Sequence, residues 1–428
     1  MIRSARILSF SAAWALVCLA SPAGDARGES EKIAPGQRAW TFVVDGDSRN
    51  CGDVVMPAVA AGSKAAGADL YWHLGDFRAV YDFDQDFLAQ PERRTGRRVA
   101  IADYERFAWD DFIQSQLVPF GGMPVLLAIG NHETTPPKTR AEYLVQFADW
   151  LNAPAIRDQR LKDDPKDHRL KTYYHWIHRG VDFVTLDNAS WDQFDAEQLR
   201  WFDRVIAAAE ANPDVRFIAV GMHAALPDSL AADHSMNDWA QGQESGRRVY
   251  ARLVQARKTK PVYVFASHSH FYMDGIFDTP EKKASGEALP GWIVGTAGAV
   301  RYALPAGASR AREAKTDVYG YLVGTVDPGG GPAGGIRFEY REIREPDIPA
   351  EVASRYGAEF VHECFTKNSS AHAAPPPAPP SSPAATATKA PGLADLPPGP
   401  PRQAPMPPPP SASPTPTRTP PVPDPPAS

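Results

Sequence analysis

Hydrophobic positions between residues 40 and 345 fall into short apolar runs separated by polar turns and amphipathic stretches. Short apolar runs bounded by turns predict buried strands, and apolar residues at three- and four-residue spacing predict helices. The predicted strands are 40–44, 70–74, 124–129, 181–186, 217–221, 262–266, 292–295, 320–323 and 336–340, and the predicted helices are 54–68, 104–117 and 196–211. Early alternation of strand and helix followed by late strands predicts an α/β domain with two sheets.

The end of the chain has a different composition. Residues 371–428 hold 23 of the 43 prolines and almost no bulky apolar side chains. Such a segment favours extended conformations without a core, so we predict a disordered Pro-rich tail. A solvated spacer, a segment associated with the cell wall and a docking ligand for another protein are the interpretations open for it. The boundaries expected before it are a domain at 38–345 and a C-terminal helical extension at 346–370.

The N-terminus has the pattern of a targeting signal. Arg3 and Arg6 precede an apolar stretch at 7–20, and small residues follow. This order is typical of a secretory signal peptide, here predicted at 1–26. The stretch is shorter than the roughly 20 apolar residues of a membrane span, although an uncleaved anchor is the alternative. The expected location is therefore periplasmic or secreted.

Charge and cysteine content narrow the picture further. The 45 basic and 51 acidic residues give a formal charge of −6, which argues against general nucleic-acid binding. No later stretch is apolar enough to be a transmembrane span. Cys51 and Cys364 would be the cysteines of the exported chain, in a compartment that permits disulfides. A disulfide and two separate buried thiols are both compatible with the sequence.

Polar side chains follow directly after five predicted strands. They are Asp47, Asp76, Asn131, His223, His268 and His270. Because ligand groups converge at the carboxyl ends of strands in α/β sheets, these side chains are expected to meet. A single strand-end aspartate is more often a helix cap, but the conjunction at five strand ends favours metal binding. Mixed oxygen and nitrogen donors suit two metal ions, with iron, manganese or zinc as candidates.

The motifs in which these residues occur resemble those of a known family. Gly46-Asp47, Gly75-Asp76, Gly130-Asn131-His132-Glu133, His223 and His268-Ser269-His270 resemble, in order, the five blocks of the calcineurin-like metallophosphoesterases. Within that family the chain looks similar to the purple-acid-phosphatase-like and bacterial exported members. The resemblance implies a four-layer αββα sandwich of two mixed β-sheets flanked by helices.

The resemblance also implies a role for each residue. It assigns Asp76 to both metals, Asp47 and His270 to the first metal, and Asn131, His223 and His268 to the second. Two cations lower the pKa of a bound water, so that hydroxide is available to attack phosphorus. His132 would face the leaving group and donate a proton to the departing oxygen.

The sequence departs from the family pattern at the first metal. The family offers a histidine in the first block or a tyrosine in the second, whereas this chain has Arg49 and Ala79. The first metal is therefore expected to have three protein ligands plus water, with Tyr81 and Asp45 as possible substitutes. Without a positioned tyrosinate, the purple colour of that branch is not expected.

Neighbouring residues have weaker assignments. Arg49 and Arg78 are candidates for phosphate binding because guanidinium pairs well with phosphate oxygens. Pairing with a carboxylate such as Asp53 or Asp82 is the alternative for each. Glu133 is interpreted as a helix cap or as a partner that orients His132. Four histidines are further candidates for lining the site, namely His73, His175, His178 and His234.

The expected function is an exported, binuclear metal-dependent phosphoesterase that hydrolyses phosphate monoesters. One alternative keeps the same site but takes a phosphodiester or a nucleotide. Another is a metal- or phosphate-binding protein with little catalysis, which the missing ligand at Arg49 and Ala79 favours. The intact His132 and the paired histidines argue against that second alternative.

Overall fold

The computed structural model describes residues 39–93, 99–190, 192–232, 234–327 and 335–371 of the 428. These ranges belong to one compact unit that ends at Pro376. The predicted signal peptide lies outside the described residues, and so does the predicted Pro-rich tail except for Ala371. No helix among the described residues is long and apolar enough to cross a membrane.

Two mixed sheets contain the strands. The strands are β1 Trp40–Asp45, β2 Ala68–His73, β3 Val125–Leu127, β4 Tyr174–His178, β5 Val181–Thr185, β6 Phe217–Gly221, β7 Val262–Ala266, β8 Tyr272–Asp274, β9 Gly291–Val294, β10 Glu313–Lys315, β11 Tyr319–Val326 and β12 Ile336–Ile343. The first sheet has the order β12-β11-β1-β2-β3, and the second has the order β10-β8-β9-β7-β6-β5-β4. Strands β1 to β3 are parallel, as are β5, β6, β7 and β9, and antiparallel strands complete each sheet.

Helices pack on the outer faces of both sheets and at the edge formed by β3 and β4. They are α1 Gly52–Ala65, α2 Gln85–Ala89, α3 Ile101–Phe112, α4 Arg140–Gln146, α5 Ala148–Leu151, α6 Pro154–Asp163, α7 Ala196–Ala211, α8 Ala240–Ala256, α9 Pro280–Ala284, α10 Ala350–Tyr356 and α11 Ala358–Thr366. Apolar residues of α1, α10 and α11 pack on the first sheet, and those of α7 and α8 pack on the second.

The core between the sheets is rich in aromatic side chains. Phe42 and Trp72 of the first sheet meet Phe183, Phe265 and Trp292 of the second, and all five are buried. Ring centroids of Phe42 and Phe183 lie 5.1 Å apart in an edge-to-face arrangement, a favourable geometry for aromatic pairs. The order of layers is therefore helix, sheet, sheet, helix, and the predicted four-layer fold is confirmed.

The hydrophobic pattern of the sequence predicts most of the helices and strands, and the differences from the structure have physical causes. The bounds of α7, β6 and β7 coincide with the predicted ones. The predicted helix 104–117 leaves α geometry at Phe112 and continues as a π turn. Helix α8 was missed because its first turns are polar and its buried bulky stripe starts only at Val249.

His175 forms a buried ionic link at the edge of the second sheet. Its Nδ1 lies 2.8 Å from Oδ1 of Asp182, and its Nε2 lies 2.6 Å from Oδ2 of Asp163 on α6. Burial would lower the pKa of His175, but the two carboxylates outweigh it and raise the pKa to about 10. The pair of contacts ties α6 to β4, far in the sequence from the metal-ligand candidates.

We expect His175→Gln to remove a pH-dependent part of the stability. Since the pKa of His175 is raised above the unfolded value of about 6.5, its contribution is complete below that pH and is lost as the pH rises through about 10. Urea denaturation should therefore show the largest difference from wild type near pH 6 and a shrinking difference toward pH 10. Exposed His168→Gln is the control, and equal losses at both pH values would contradict the account.

Candidate metal centre

The predicted ligands meet where the carboxyl ends of strands from both sheets converge. Asp47 follows β1, Asp76 follows β2, His223 follows β6, and His268 and His270 follow β7. Asn131 comes after β3 and places Oδ1 2.9 Å from Nε2 of His223. All six residues predicted as metal ligands are thus brought to one place by elements that lie far apart in the sequence.

The carboxylate and imidazole donors form two groups that share Asp76. Asp47, Asp76 and His270 make the first cation group, and Asp76, His223 and His268 make the second cation group. Within each group the candidate ligand atoms lie within 4.8 Å of one another. This spacing suits a cation bound at about 2.0–2.2 Å from nitrogen and oxygen ligands.

Unsatisfied buried atoms in these groups fit a cation. Oδ1 of Asp47, Oδ2 of Asp76 and Nδ1 of His268 have no hydrogen-bond partner among the described residues. Leaving buried polar atoms unpaired is costly, and such atoms at a native site call for an explanation. A metal ion between them would satisfy these atoms, so the donor set fits metal binding.

The remaining atoms of the ligands are held by hydrogen bonds. Nδ1 of His223 lies 3.0 Å from the carbonyl oxygen of Leu74 and 3.1 Å from Oγ of Ser267. Nδ1 of His270 donates to the carbonyl oxygen of Val300 at 2.6 Å. Such outer partners fix the ring and leave the other nitrogen, Nε2, for a metal.

The backbone brings the second and third motif blocks into direct contact. Asp76 has φ 60° and Gly75 has φ 100°, the region in which glycine is tolerated best. A Cβ on Gly75 would lie 2.5 Å from the backbone nitrogen of Gly130. A Cβ on Gly130 would lie 2.3 Å from Oδ1 of Asp76. Both glycines are therefore required for Asp76 to reach its position.

Burial and neighbouring charges shift the pKa values of two histidines of the site in opposite directions. Burial would lower the pKa of His223, but Asp76 and Asp47 raise it to about 10. Burial and the neighbouring His223 hold the pKa of His268 well below its usual range. A cation that binds Nε2 of His223 must displace a proton, so metal affinity is expected to fall in acid.

His132 and Arg49 form a pair beside the two cation groups. Nδ1 of His132 donates to the carbonyl oxygen of Ala79 at 2.8 Å, so its Nε2 accepts from a guanidinium nitrogen of Arg49 at 2.6 Å. Burial and the Arg49 charge lower the pKa of His132 to about 4. Arg49 also lies 3.3 Å from Nε2 of His270 and 3.4 Å from the hydroxyl of Tyr302. Arg49 therefore faces the site rather than Asp53 or Asp82.

Arg78 does not face the site, and the prediction that it binds substrate is wrong. Its side chain is fully buried and pairs with Asp53 at 2.5 Å, Asp86 at 2.8 Å and Asp111 at 2.5 Å. These carboxylates belong to α1, α2 and α3. Arg78 instead pairs with carboxylates, which was the alternative interpretation of the sequence, and Asp53 is one of the partners.

We expect Arg78→Met to lower stability strongly. Removing one partner of a buried ion cluster leaves the carboxylates uncompensated, which costs about 3–5 kcal/mol of unfolding free energy. Urea denaturation of the variant measures this, with exposed Arg106→Met, which loses the surface pair with Asp103, as the control expected to change by about 1 kcal/mol or less. An Arg78→Met protein of unchanged stability but reduced turnover would show that Arg78 acts on substrate after all.

The substitutes considered for the missing ligand lie outside both cation groups. Tyr81 stacks on the ring of His132, with centroids 4.9 Å apart, and about half of its surface is exposed. Asp45 is fully buried, lies 3.5 Å from the hydroxyl of Tyr71, and has its pKa raised by burial and by Asp47. The expectation that the first cation has three protein ligands plus water stays a prediction.

Glu133 has a role that neither interpretation of the sequence included. Its carboxylate accepts hydrogen bonds from the backbone N–H groups of Asp76, Phe77 and Gly130, at 2.9, 2.9 and 2.8 Å. Among the described residues, none of these hydrogen bonds goes to the ring of His132 or to a helix N-terminus. Glu133 thus fixes the two turns that carry Asp76 and Asn131. The clue in the sequence was only its position beside His132.

The other candidate histidines divide into two sets. His73 lies beneath the site, 2.9 Å from Oγ of Ser48, and His234 meets the ring of His268 edge to face with centroids 5.3 Å apart. His175 and His178 lie on the edge strand β4 and pair with carboxylates there. Only the first set lies at the site, and His234 lines it together with Tyr302, on which it stacks.

Comparison with known proteins gives one family. The family described as calcineurin-like phosphoesterase matches residues 53–272, which is more than half of the chain. The match includes Asp76, Asn131, His223, His268 and His270, whereas the first motif block lies just before it. No curated protein matches the chain.

Several solved structures are similar to this chain. A purple acid phosphatase from yellow lupin (Lupinus luteus) seeds shares 16% identity at a TM-score of 0.49, covering 72% of this chain and 52% of that chain. PhoD shares 14% identity at a TM-score of 0.41, covering 78% of each chain. A 5'-nucleotidase from Candida albicans shares 14% identity at a TM-score of 0.35, covering 78% of this chain and 58% of that chain. The chain spans about half the length of the lupin protein.

Proposed function

We propose that this chain, which belongs to the calcineurin-like phosphoesterase family of phosphoric ester hydrolases, is exported and hydrolyses phosphate monoesters with two metal ions. The observation that carries the proposal is the pair of cation groups that share Asp76. A shared carboxylate between two donor sets is the arrangement that a two-metal site requires.

The donors divide between two cations in this proposal. Asp47 and His270 hold the first cation, Asn131, His223 and His268 hold the second, and Asp76 holds both. Iron, manganese and zinc all suit this mixture of carboxylate, amide and imidazole. When bound, two such ions lower the pKa of a water molecule and polarise the phosphoryl oxygens.

Arg49 supports a monoester as the substrate. Its guanidinium lies at the face of the first cation group, and Tyr302 and Asp76 keep it charged by raising its pKa against the effect of burial. A monoester dianion carries more charge than a diester, so an additional cation at this face favours the monoester. The planar guanidinium also offers two donors to two phosphate oxygens. The proposal therefore keeps the substrate-binding role that the sequence predicts for Arg49.

His132 is proposed to protonate the departing oxygen. Its Nε2 receives a hydrogen bond from Arg49 and is directed at the site, 3.7 Å from Oδ2 of Asp76. Arg49 leaves this nitrogen when its guanidinium turns to phosphate. Burial and the Arg49 charge both lower the pKa of His132, and that movement would remove the second of these two effects, so that Nε2 can carry the proton needed for donation.

Two observations support export. The predicted signal peptide at 1–26 directs the chain out of the cytoplasm. Cys51 and Cys364 are joined by a disulfide with a Cα–Cα distance of 6.0 Å, and disulfides persist in oxidising compartments. We therefore propose that the protein acts in the periplasm or outside the cell.

Hydrolysis of a chromogenic phosphate monoester beside the matching diester tests the proposal. The mature protein should turn over the monoester faster when loaded with manganese, zinc or iron. Arg49→Ala should lower kcat/KM for the monoester about 100-fold, the usual loss when one donor to transition-state charge is removed, and Arg49→Lys should lower it less. Preference for the diester would support the alternative substrate, and no turnover with two cations bound would support a binding protein.

A further inference from the structure

Resting on the proposed two-metal function, we propose that residues 358–370, here called the C-terminal brace, position the first cation site and that the Cys51–Cys364 disulfide sets its affinity. The brace consists of α11 and the four residues after it. It contacts two loops on the side of the first cation group, residues 46–51 and residues 298–302. These are called the first loop and the second loop.

The disulfide joins the brace to the first loop. Cys51 lies two residues after Arg49 and four after Asp47, and it is bonded to Cys364 in the last turn of α11. Asn368 adds a second contact, with Nδ2 3.1 Å from Sγ of Cys51. The loop that carries Asp47 and Arg49 is thus tied covalently to a helix more than 300 residues later.

Arg301 joins the brace to the second loop. The side chain is buried, and its Nε donates to the carbonyl oxygen of Asn368 at 2.9 Å. A terminal nitrogen donates to the carbonyl oxygen of Phe365 at 2.8 Å, and the backbone N–H donates to that of Asn368 at 3.0 Å. The guanidinium therefore binds carbonyl groups at the C-terminal end of α11, where a cation is favoured.

The second loop orients His270. The carbonyl oxygen of Val300 accepts from Nδ1 of His270 at 2.6 Å, and Tyr302 stacks on the same ring with centroids 4.0 Å apart. These contacts come from the residues on either side of Arg301. Movement of Arg301 would therefore turn the imidazole that offers Nε2 to the first cation.

The two loops also hold each other in place. The N–H of Cys51 donates to the carbonyl oxygen of Gly298 at 3.1 Å, and the N–H of Ala299 donates to that of Asp47 at 2.9 Å. Oδ1 of Asn50 accepts from the N–H of Val300 at 3.2 Å. The brace, the first loop and the second loop thus form a closed set of contacts around Asp47 and His270.

The partners that fix His223 in the second cation group lie outside the brace and the two loops, although the first loop reaches this group through Asp47, whose Oδ2 accepts from the N–H of His268 at 2.7 Å. His223 is fixed by Leu74 and Ser267, which follow β2 and β7. No hydrogen bond among the described residues links the brace to these partners. Loosening the brace should consequently weaken the first cation more than the second. The first site is also the more sensitive one because it has only three protein ligands.

Titration with a cation, monitored by calorimetry, tests the inference, with the oxidised wild-type mature protein as the reference. Arg301→Lys and the double variant Cys51→Ser/Cys364→Ser should weaken the first cation about 10- to 100-fold, as loss of an outer partner does, with a smaller loss for the second. Wild-type protein reduced with a phosphine and desalted under nitrogen should behave like the double variant. Exposed Arg310→Lys is the control.

The outcomes separate the inference from the proposed function. Two cations of unchanged affinity in the reduced protein and in Arg301→Lys would overturn the inference alone. Equal weakening of both cations would also overturn it, because the brace would then support the whole site. Oxidised wild-type protein that binds one cation would overturn the two-metal proposal and the inference with it. If the double variant fails to fold, the lysine variant decides.

Discussion

Asp76→Asn is expected to abolish phosphoester hydrolysis and to reduce cation binding at both sites. Asp76 belongs to both cation groups, and its Oδ2 lacks a hydrogen-bond partner among the described residues. Asparagine keeps the shape but removes the charge that holds two cations. Two metals supply several kcal/mol of transition-state stabilisation, so kcat/KM should fall about a thousandfold or more. Metal content per chain and the rate with a chromogenic monoester measure the two effects.

Asp45→Asn is a matched control for this substitution. Asp45, like Asp76, is a fully buried aspartate. It is the last residue of β1 and belongs to neither cation group. Burial and the charge of Asp47 raise its pKa well above the usual range, which favours the neutral carboxyl, and asparagine keeps the size and shape of this side chain. We expect Asp45→Asn to retain two cations and near wild-type rates. A similar loss of metal in both variants would show that any buried carboxylate here supports the fold rather than the cations.

His132→Ala is expected to lower turnover while leaving the metal content unchanged. His132 contacts Arg49 and Ala79 but belongs to neither cation group. Loss of a general acid typically costs about 10²- to 10⁴-fold in rate. The loss should be large for an alkyl phosphate, whose departing oxygen needs a proton, and smaller for a nitrophenyl phosphate, whose leaving group is stable without one.

The comparison of leaving groups decides the role of His132. His132→Asn, which keeps a polar side chain at this position, serves as the second variant. Equal losses for alkyl and nitrophenyl esters would contradict proton donation and would indicate that His132 acts by positioning Arg49. Lost metal content would assign His132 to the cation sites instead.

The six metal-ligand candidates were found from the sequence because hydrophobic alternation locates strand ends. In an α/β fold the strand end already determines where a side chain such as Asp76 or His223 will converge. Arg78 was assigned incorrectly for a related reason. It is two residues from Asp76, but the chain turns there with a positive φ, and the carboxylates that it pairs with come from three helices.

The local sequence pattern does not predict the roles of residues that act through tertiary contacts. Glu133 binds three backbone N–H groups from two turns, and no spacing in the sequence brings those groups together. The contact between Arg301 and the end of α11 joins residues more than 60 positions apart. The sequence left the pairing of Cys51 and Cys364 open because it gives no distance between them. The signal peptide and the domain boundaries stay predictions.

The measurement that tests the central claim most directly is an anomalous difference map from crystals of the mature protein grown with manganese. The account predicts two peaks about 3.5–4 Å apart, one on each side of Asp76, with Asp47 and His270 at the first and Asn131, His223 and His268 at the second. A single peak, or two peaks that do not share Asp76, would contradict it.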